Sequence, residues 1–336
     1  MPHLSDLGAD SLGVWTRAQA LTMLSAGEVD ALVRRRIWQV VWSGVYADGG
    51  FVLDAEQRAM AAVLAAGGAD QPVAFGAPDP DTGRQRRRLR AVACGRSAAR
   101  VWQLPLIDDD DPATGRREAV LDDVASWRHL APQSCGERRL CTHEPTFGQG
   151  DLIRLPSGLW LTSPLRTMVD SARLLTHEAL VCVVDDALHR SLVVPVQLEE
   201  RSAARRGDEG APAWRRAVRL ADGRAEAPTE TLARLLLLPV LPDLRPQVVL
   251  YDKAARLVAR FDLGDEGVLL AVETDGRAGH AGEQMVAKDR RRDRHAAAYG
   301  WWTERATWYD LRRRQDDFRT RIVSKHAELA RLRPPR

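Results

Sequence analysis

Val268-Leu269-Leu270-Ala271-Val272-Glu273-Thr274-Asp275-Gly276 decides the reading of the C-terminal part of the chain. From Val268 to Val272 no polar residue interrupts the run. A strand of this kind is covered on both faces, as at the centre of a sheet flanked by helices. Upstream stand the turn Gly264-Asp265-Glu266-Gly267, a strand over 257–263 and another over 247–250, with an apolar helix over 230–238 behind Pro228. Downstream, a helix is expected over about 283–299, stopped by Gly300, then a strand over 301–307 and a basic helix from Leu311. The order is α-β-β-β-α-β.

Acids stand in this segment where acids are costly. Asp262 lies on a strand among apolar neighbours, Glu273 closes the buried strand, and Asp275 follows two residues on. Side chains alternate along a strand, so Glu273 and Asp275 are expected on one face. Carboxylates leaving a sheet core without a basic neighbour must be paired, protonated or bound to a cation. Such oxygen donors suit Mg2+, which takes one or two carboxylates with waters and phosphate oxygens. The plainer alternative is that these acids mark strand ends, Asp275-Gly276 being a common turn pair. A turn at 264–267 does not place Asp262 directly opposite Glu273.

The whole chain has 336 residues, 45% of them hydrophobic, enough for real cores and for two or three domains. No apolar run approaches the roughly 20 residues that span a bilayer, so no membrane partner is expected. Cys94, Cys135, Cys141 and Cys182 show no paired spacing, and Met1 leads into a polar stretch, so a reducing cytoplasm is the expected compartment. Cys135, Cys141 and His143 are close in sequence but lack a fourth ligand at zinc-finger spacing. The net charge is only +3, yet basic residues crowd the C-terminal part, among them Arg290, Arg292, Arg312, Arg313 and Arg314. A polyphosphate partner would select such crowding through counterion release, and solvated helix faces are the other explanation.

Near the N-terminus, Thr16 caps a helix, Gly27 interrupts the pattern, and a second helix over 28–36 ends in Arg34-Arg35-Arg36. A strand over 38–42, the turn Ser43-Gly44 and a return at Val45-Tyr46 complete helix, turn, helix and hairpin, the plan of a winged helix-turn-helix. The middle alternates helices with loops, with Asp108-Asp109-Asp110-Asp111 as a loop. Asp185 and Asp186 are adjacent on a helix, point apart, and carry no expected chemistry. The expected fold class is therefore α/β (α+β overall): a winged helix over 1–52, a mixed α+β region over 53–205, a linker over 206–225, and the sheet domain over 226–336.

Pro228-Thr229-Glu230-Thr231, Arg260-Phe261-Asp262-Leu263, Val272-Glu273-Thr274-Asp275-Gly276, His280, Lys288-Asp289-Arg290 with Arg292, and Gly300-Trp301 together resemble the very-short-patch-repair-like branch of the PD-(D/E)XK, restriction-endonuclease-like nucleases. The resemblance covers about 226–311. It implies metal binding (Mg2+ or Mn2+) by Asp262 and Glu273, a supporting acid at Glu230, and a polar or acid–base role for His280. The lysine that the family places two residues after its second acid is Asp275 here. Lys288 replaces it, or this branch works without it, or catalysis is lost. His280 near the carboxylates would act at neutral pH; as an exposed turn residue it would do nothing.

Gly13-Val14-Trp15-Thr16-Arg17-Ala18-Gln19, Arg34-Arg35-Arg36 and Gly44-Val45-Tyr46, with Thr162-Ser163-Pro164, Arg166-Thr167 and Asp170, are similar to AbiEi-type antitoxins with a winged helix. That similarity implies that Arg34, Arg35 and Arg36 meet the DNA backbone. Arg290 and Arg292, in the basic C-terminal part, are further expected DNA contacts. A protein-binding winged helix with solvated arginines is the alternative. Two functions are thereby expected: a metal-dependent DNA endonuclease, or a non-catalytic DNA-binding antitoxin or transcriptional regulator on a degenerate nuclease fold. DNA is the expected partner, with a toxin or a second copy of the chain besides.

Overall fold

A computed structural model describes residues 7–8, 11–67, 90–107, 120–126, 130, 133–144, 146–204, 209–275 and 293–333. The chain is a mixed α/β protein in two compact units, one of 1–176 with 203–214 and the other of 177–202 with 215–336. These units cut across the expected boundaries at 205 and 226, because the helix over 177–189 packs with the C-terminal sheet unit. No described helix is long and apolar enough to cross a membrane.

In the first unit, β1 (Val14–Thr16), α1 (Arg17–Ala20), α2 (Ala26–Arg34), β2 (Trp38–Trp42) and β3 (Val45–Asp48) form a small antiparallel sheet of order β1-β3-β2 with two helices. Thr16 and Ser25 each begin a helix with a capping box, answered by Gln19 and Glu28. The Ser25 cap starts α2 earlier than expected and takes Gly27 into its first turn, where a helix tolerates glycine best. Arg36, at φ +57°, turns the chain from α2 into β2.

The expectation of helices and loops in the middle was incomplete. After α3 (Ala55–Ala65), a six-stranded mixed sheet forms from β4 (Ala91–Ala93), β5 (Val120–Ser126), β6 (Gln133–Cys135), β7 (Arg138–His143), β8 (Leu152–Arg154) and β9 (Trp160–Thr162), in the order β6-β7-β5-β4-β9-β8. Two helices, α4 (Gly95–Val101) and α5 (Pro164–Ser171), accompany it. Four of these strands are three residues long, too short to show a period. The N-terminal segment has a small core of its own, with Trp15, Ala20, Val29, Trp38 and Tyr46, and a second core joins it to the sheet behind: Val14, Trp42 and Val45 are buried with Met60, Leu64, Ala98, Val124 and Leu161. The segment expected as a winged helix over 1–52 lies within the first compact unit.

Three further helices follow: α6 (His177–His189), α7 (Pro195–Ala204) and α8 (Ala211–Leu220). In the second unit, α6 lies against α9 (Pro228–Leu237). Asp185 of α6, one of the two acids expected to do no chemistry, accepts hydrogen bonds from Arg234 (2.6 Å), Thr231 (2.7 Å) and the Asp222 amide (2.7 Å). The sheet has the order β10-β11-β12-β13, from β10 (Arg245–Tyr251), β11 (Leu257–Asp265), β12 (Leu270–Thr274) and β13 (Trp302–Ala306). The first three are antiparallel and β13 is parallel to β12, as a crossover connection requires. Helical residues 293–298 lie in that crossover, and α10 (Trp308–Arg313) and α11 (Gln315–Arg331) end the described chain. Phe261 and Trp301 stack at 4.6 Å between ring centroids in a core with Val248, Ala271 and Ala296. Gly264 is required there, since an added Cβ would stand 2.9 Å from Val248.

Candidate active site

The turn between β11 and β12 falls later than the sequence suggested. Asp265 Oδ1 accepts the Gly267 amide, and Leu269 adopts φ +53°, so Val268 and Leu269 belong to the turn. The ladder then pairs Asp265 with Leu270, Gly264 with Ala271 and Leu263 with Val272. The next positions on the two strands are Asp262 and Glu273. The same step on the other side brings Gln247 of β10 beside Asp262, between the pairs Pro246–Leu263 and Val248–Phe261. Glu273 is in turn paired with Arg305 of β13. Gln247, Asp262, Glu273 and Arg305 therefore form one row across the sheet.

Helix α9 brings Glu230 to this row. Pro228 stands in its first turn and its cap residue, Ala227, has no side-chain acceptor, so Glu230 takes the free Glu226 amide at 3.1 Å. Glu230 also accepts Gln247 Nε2 at 2.8 Å. Burial, and then the negative charge of Asp262, push the Glu230 carboxyl up to about 7. Asp262 in turn accepts both the amide (2.7 Å) and the hydroxyl (2.9 Å) of Thr274 on Oδ2. Among the described residues neither Glu230 nor Asp262 forms an ion pair.

The surrounding cations are already engaged. Arg260 donates to both oxygens of Glu226, at 2.6 and 2.8 Å, on the rim of the acids. Arg305 donates to Asp275 at 3.1 Å and to Asp293 at 2.8 Å. Asp275 is thereby drawn to β13, while the charge of Asp262 bears on Glu230. Its position, where the resembled nucleases carry lysine, places a carboxylate beside a guanidinium. Gln247, Thr274 and Arg305 were not legible as site residues. The one sequence signal was a polar residue opening the apolar strand Gln247-Val248-Val249-Leu250.

No set of three or more His, Cys, Asp or Glu side chains closes around a point that would hold a metal ion among the described residues. Cys135 reaches toward the Val40 carbonyl at 3.8 Å, Cys141 pairs across the sheet with Asp123, and His143 binds Asp123 at 2.7 Å. They do not converge on a zinc site. Asp262 offers one oxygen, Oδ1, that accepts no hydrogen bond from a described residue, and Mg2+ or Mn2+ needs only one or two carboxylates with waters. His280, Lys288, Arg290 and Arg292 lie outside the described residues.

Arg34, Arg35 and Arg36 are all exposed at the end of α2 and form no ion pair with a described residue. Arg17 differs: it is held by Asp30 at 2.8 Å and by the Tyr46 hydroxyl at 3.2 Å. Much of the positive charge of α11 is likewise spent locally, Arg319 on Asp316, Arg321 on Glu304 and Lys325 on Glu328. The motif around Arg166 is a buried support: its guanidinium bridges Asp151 at 2.7 Å and Asp170 at 2.8 Å, with Ser163 capping α5.

In sequence the chain is similar to the uncharacterized protein Rv2248 of Mycobacterium tuberculosis (strain ATCC 25618 / H37Rv), at 29% identity over 186 residues, which is 54% of this chain and 67% of that one. The uncharacterized protein MT2308 of Mycobacterium tuberculosis (strain CDC 1551 / Oshkosh) matches with the same identity and coverage. No family model matches the chain. No solved structure matches it either.

Proposed function

We propose that this chain is a DNA-binding protein whose second unit is a divalent-cation-dependent endonuclease. The observation that carries the reading is that Asp262 of β11 and Glu273 of β12 stand at facing positions beyond the pair Leu263–Val272, beside Glu230 of α9, whose carboxyl burial, and then the charge of Asp262, push up to about 7. Asp262 and Glu273 would hold Mg2+ or Mn2+, with Glu230 in support. Bound there, the cation would polarise the scissile phosphate and lower the pKa of an attacking water. Glu230 is suited to take up or release a proton in the working pH range, because its carboxyl is neither firmly ionised nor firmly neutral. Arg34, Arg35 and Arg36 would hold the DNA backbone, which fixes position without reading sequence.

The test uses the full chain with supercoiled plasmid and Mg2+ or Mn2+. Metal-dependent nicking that disappears in Asp262→Ala is the expected result, and absence of cleavage across substrates would overturn the hydrolytic reading. A second reading is a non-catalytic DNA-binding antitoxin or regulator, and the observation favouring it is Asp275 at the lysine position, neutralised by Arg305. In that case a salt-sensitive gel shift persists in Asp262→Ala and no cleavage occurs. A toxin or a second copy of the chain would be the protein partner. A reducing, cytoplasmic setting accords with either reading.

A further inference from the structure

We infer that Thr274 is a positioning residue that sets the orientation of Asp262 toward a cation, an inference that rests on the hydrolytic reading above. Thr274 lies between Glu273 and Asp275, at the end of the central strand, where the ladder with β11 has just stopped at the pair Leu263–Val272. Its amide and its hydroxyl both donate to the same oxygen, Asp262 Oδ2, at 2.7 and 2.9 Å. The amide is fixed by the strand, so it sets where Oδ2 lies. The hydroxyl adds a second anchor on that atom and resists rotation of the carboxylate about its own axis.

The two donors leave the other oxygen in a distinct state. Asp262 Oδ1 accepts no hydrogen bond from a described residue, and the nearby Glu230 competes for no donor with it, since Glu230 is occupied by the Glu226 amide and Gln247. One oxygen is anchored and one is presented. This is the arrangement by which outer partners orient a metal-binding carboxylate, and losing such a partner usually weakens metal binding by about tenfold or more. Valine keeps the shape and the amide of Thr274 but lacks the hydroxyl. Serine keeps both donors.

The test is Mn2+ alone, titrated into the full-length protein and followed by the loss of the free-ion electron paramagnetic resonance signal. Thr274→Val is expected to weaken Mn2+ binding about tenfold, with Thr274→Ser within about twofold of the parent and Asp262→Asn losing the site. Thermal melts of Thr274→Val close to the parent separate positioning from a general loss of fold. If Thr274→Val binds Mn2+ as the parent does while Asp262→Asn does not, the cation site stands and the role of Thr274 falls. If the parent binds no Mn2+, the cation site and this role fall together. The Thr274 amide proton supplies a readout without metal: it is expected to move upfield in Asp262→Asn, and an unmoved resonance overturns the contact itself.

Discussion

Asp185 and Arg234 form a buried ion pair at 2.6 Å that ties α6 to α9, the helix that carries Glu230. Thr231 and the Asp222 amide also donate to the Asp185 carboxylate, so both of its oxygens are engaged. Removing one member leaves the other charged in a site that excludes water. Arg234→Met is therefore expected to cost roughly 3–5 kcal/mol of stability. Denaturant unfolding of the full chain would measure it. A change near zero would mean that the pair is open to solvent.

Glu230 makes a separate prediction for pH. Its folded-state carboxyl titrates near 7, against an ordinary value of 4.5, so the folded protein binds a proton that the unfolded chain has already lost. Stability contributed by that proton is full below about 4.5 and declines as pH rises through 7. The decline amounts to about 3 kcal/mol at most. Glu230→Gln is expected to flatten this part of the stability profile between pH 5 and 8. Equal slopes for parent and variant would show that burial and the neighbouring Asp262 do not raise the Glu230 carboxyl.

Asp275 and Arg305 are half-exposed, with 49% and 33% of the side-chain surface open. Pairs of this kind contribute about 1 kcal/mol or less. Asp275→Asn is accordingly expected to lower the melting temperature only slightly and to leave Mn2+ binding within about twofold, since Asp275 is turned toward β13. A large loss of Mn2+ binding in Asp275→Asn would make Asp275 a ligand.

For the first unit, the joint substitution of Arg34, Arg35 and Arg36 by alanine should weaken binding to any duplex alike. The slope of log affinity against log salt should fall by about one for each phosphate that is no longer neutralised. Fluorescence anisotropy with two unrelated duplexes over a salt series reads this out. Unchanged affinity would place these arginines in solvent or against a protein partner.

The C-terminal order was legible because its central strand is an unbroken apolar run and because Gly300 and Pro228 punctuate the neighbouring helices. The row across the sheet was not. It depends on where the hairpin turns, and the shift came from Leu269 in a left-handed conformation, which an apolar residue does not advertise. The side chain of Thr274 carried no signal either, since threonine is ordinary at a strand end. In the middle, strands such as Ala91–Ala93 and Trp160–Thr162 are too brief for alternation to register. Their pairing is long-range, and only burial against α3 and α4 reveals them.

The shared core of the first unit bears on how the protein can be divided. Trp42 and Val45 on the hairpin and Met60 and Leu64 on α3 cover one another. A fragment cut after residue 52 would present an indole and several aliphatic groups to water, and it should be sticky rather than well folded. The arginine-bearing segment packs into the six-stranded body behind it, so loosening that body would also loosen how Arg34, Arg35 and Arg36 are presented.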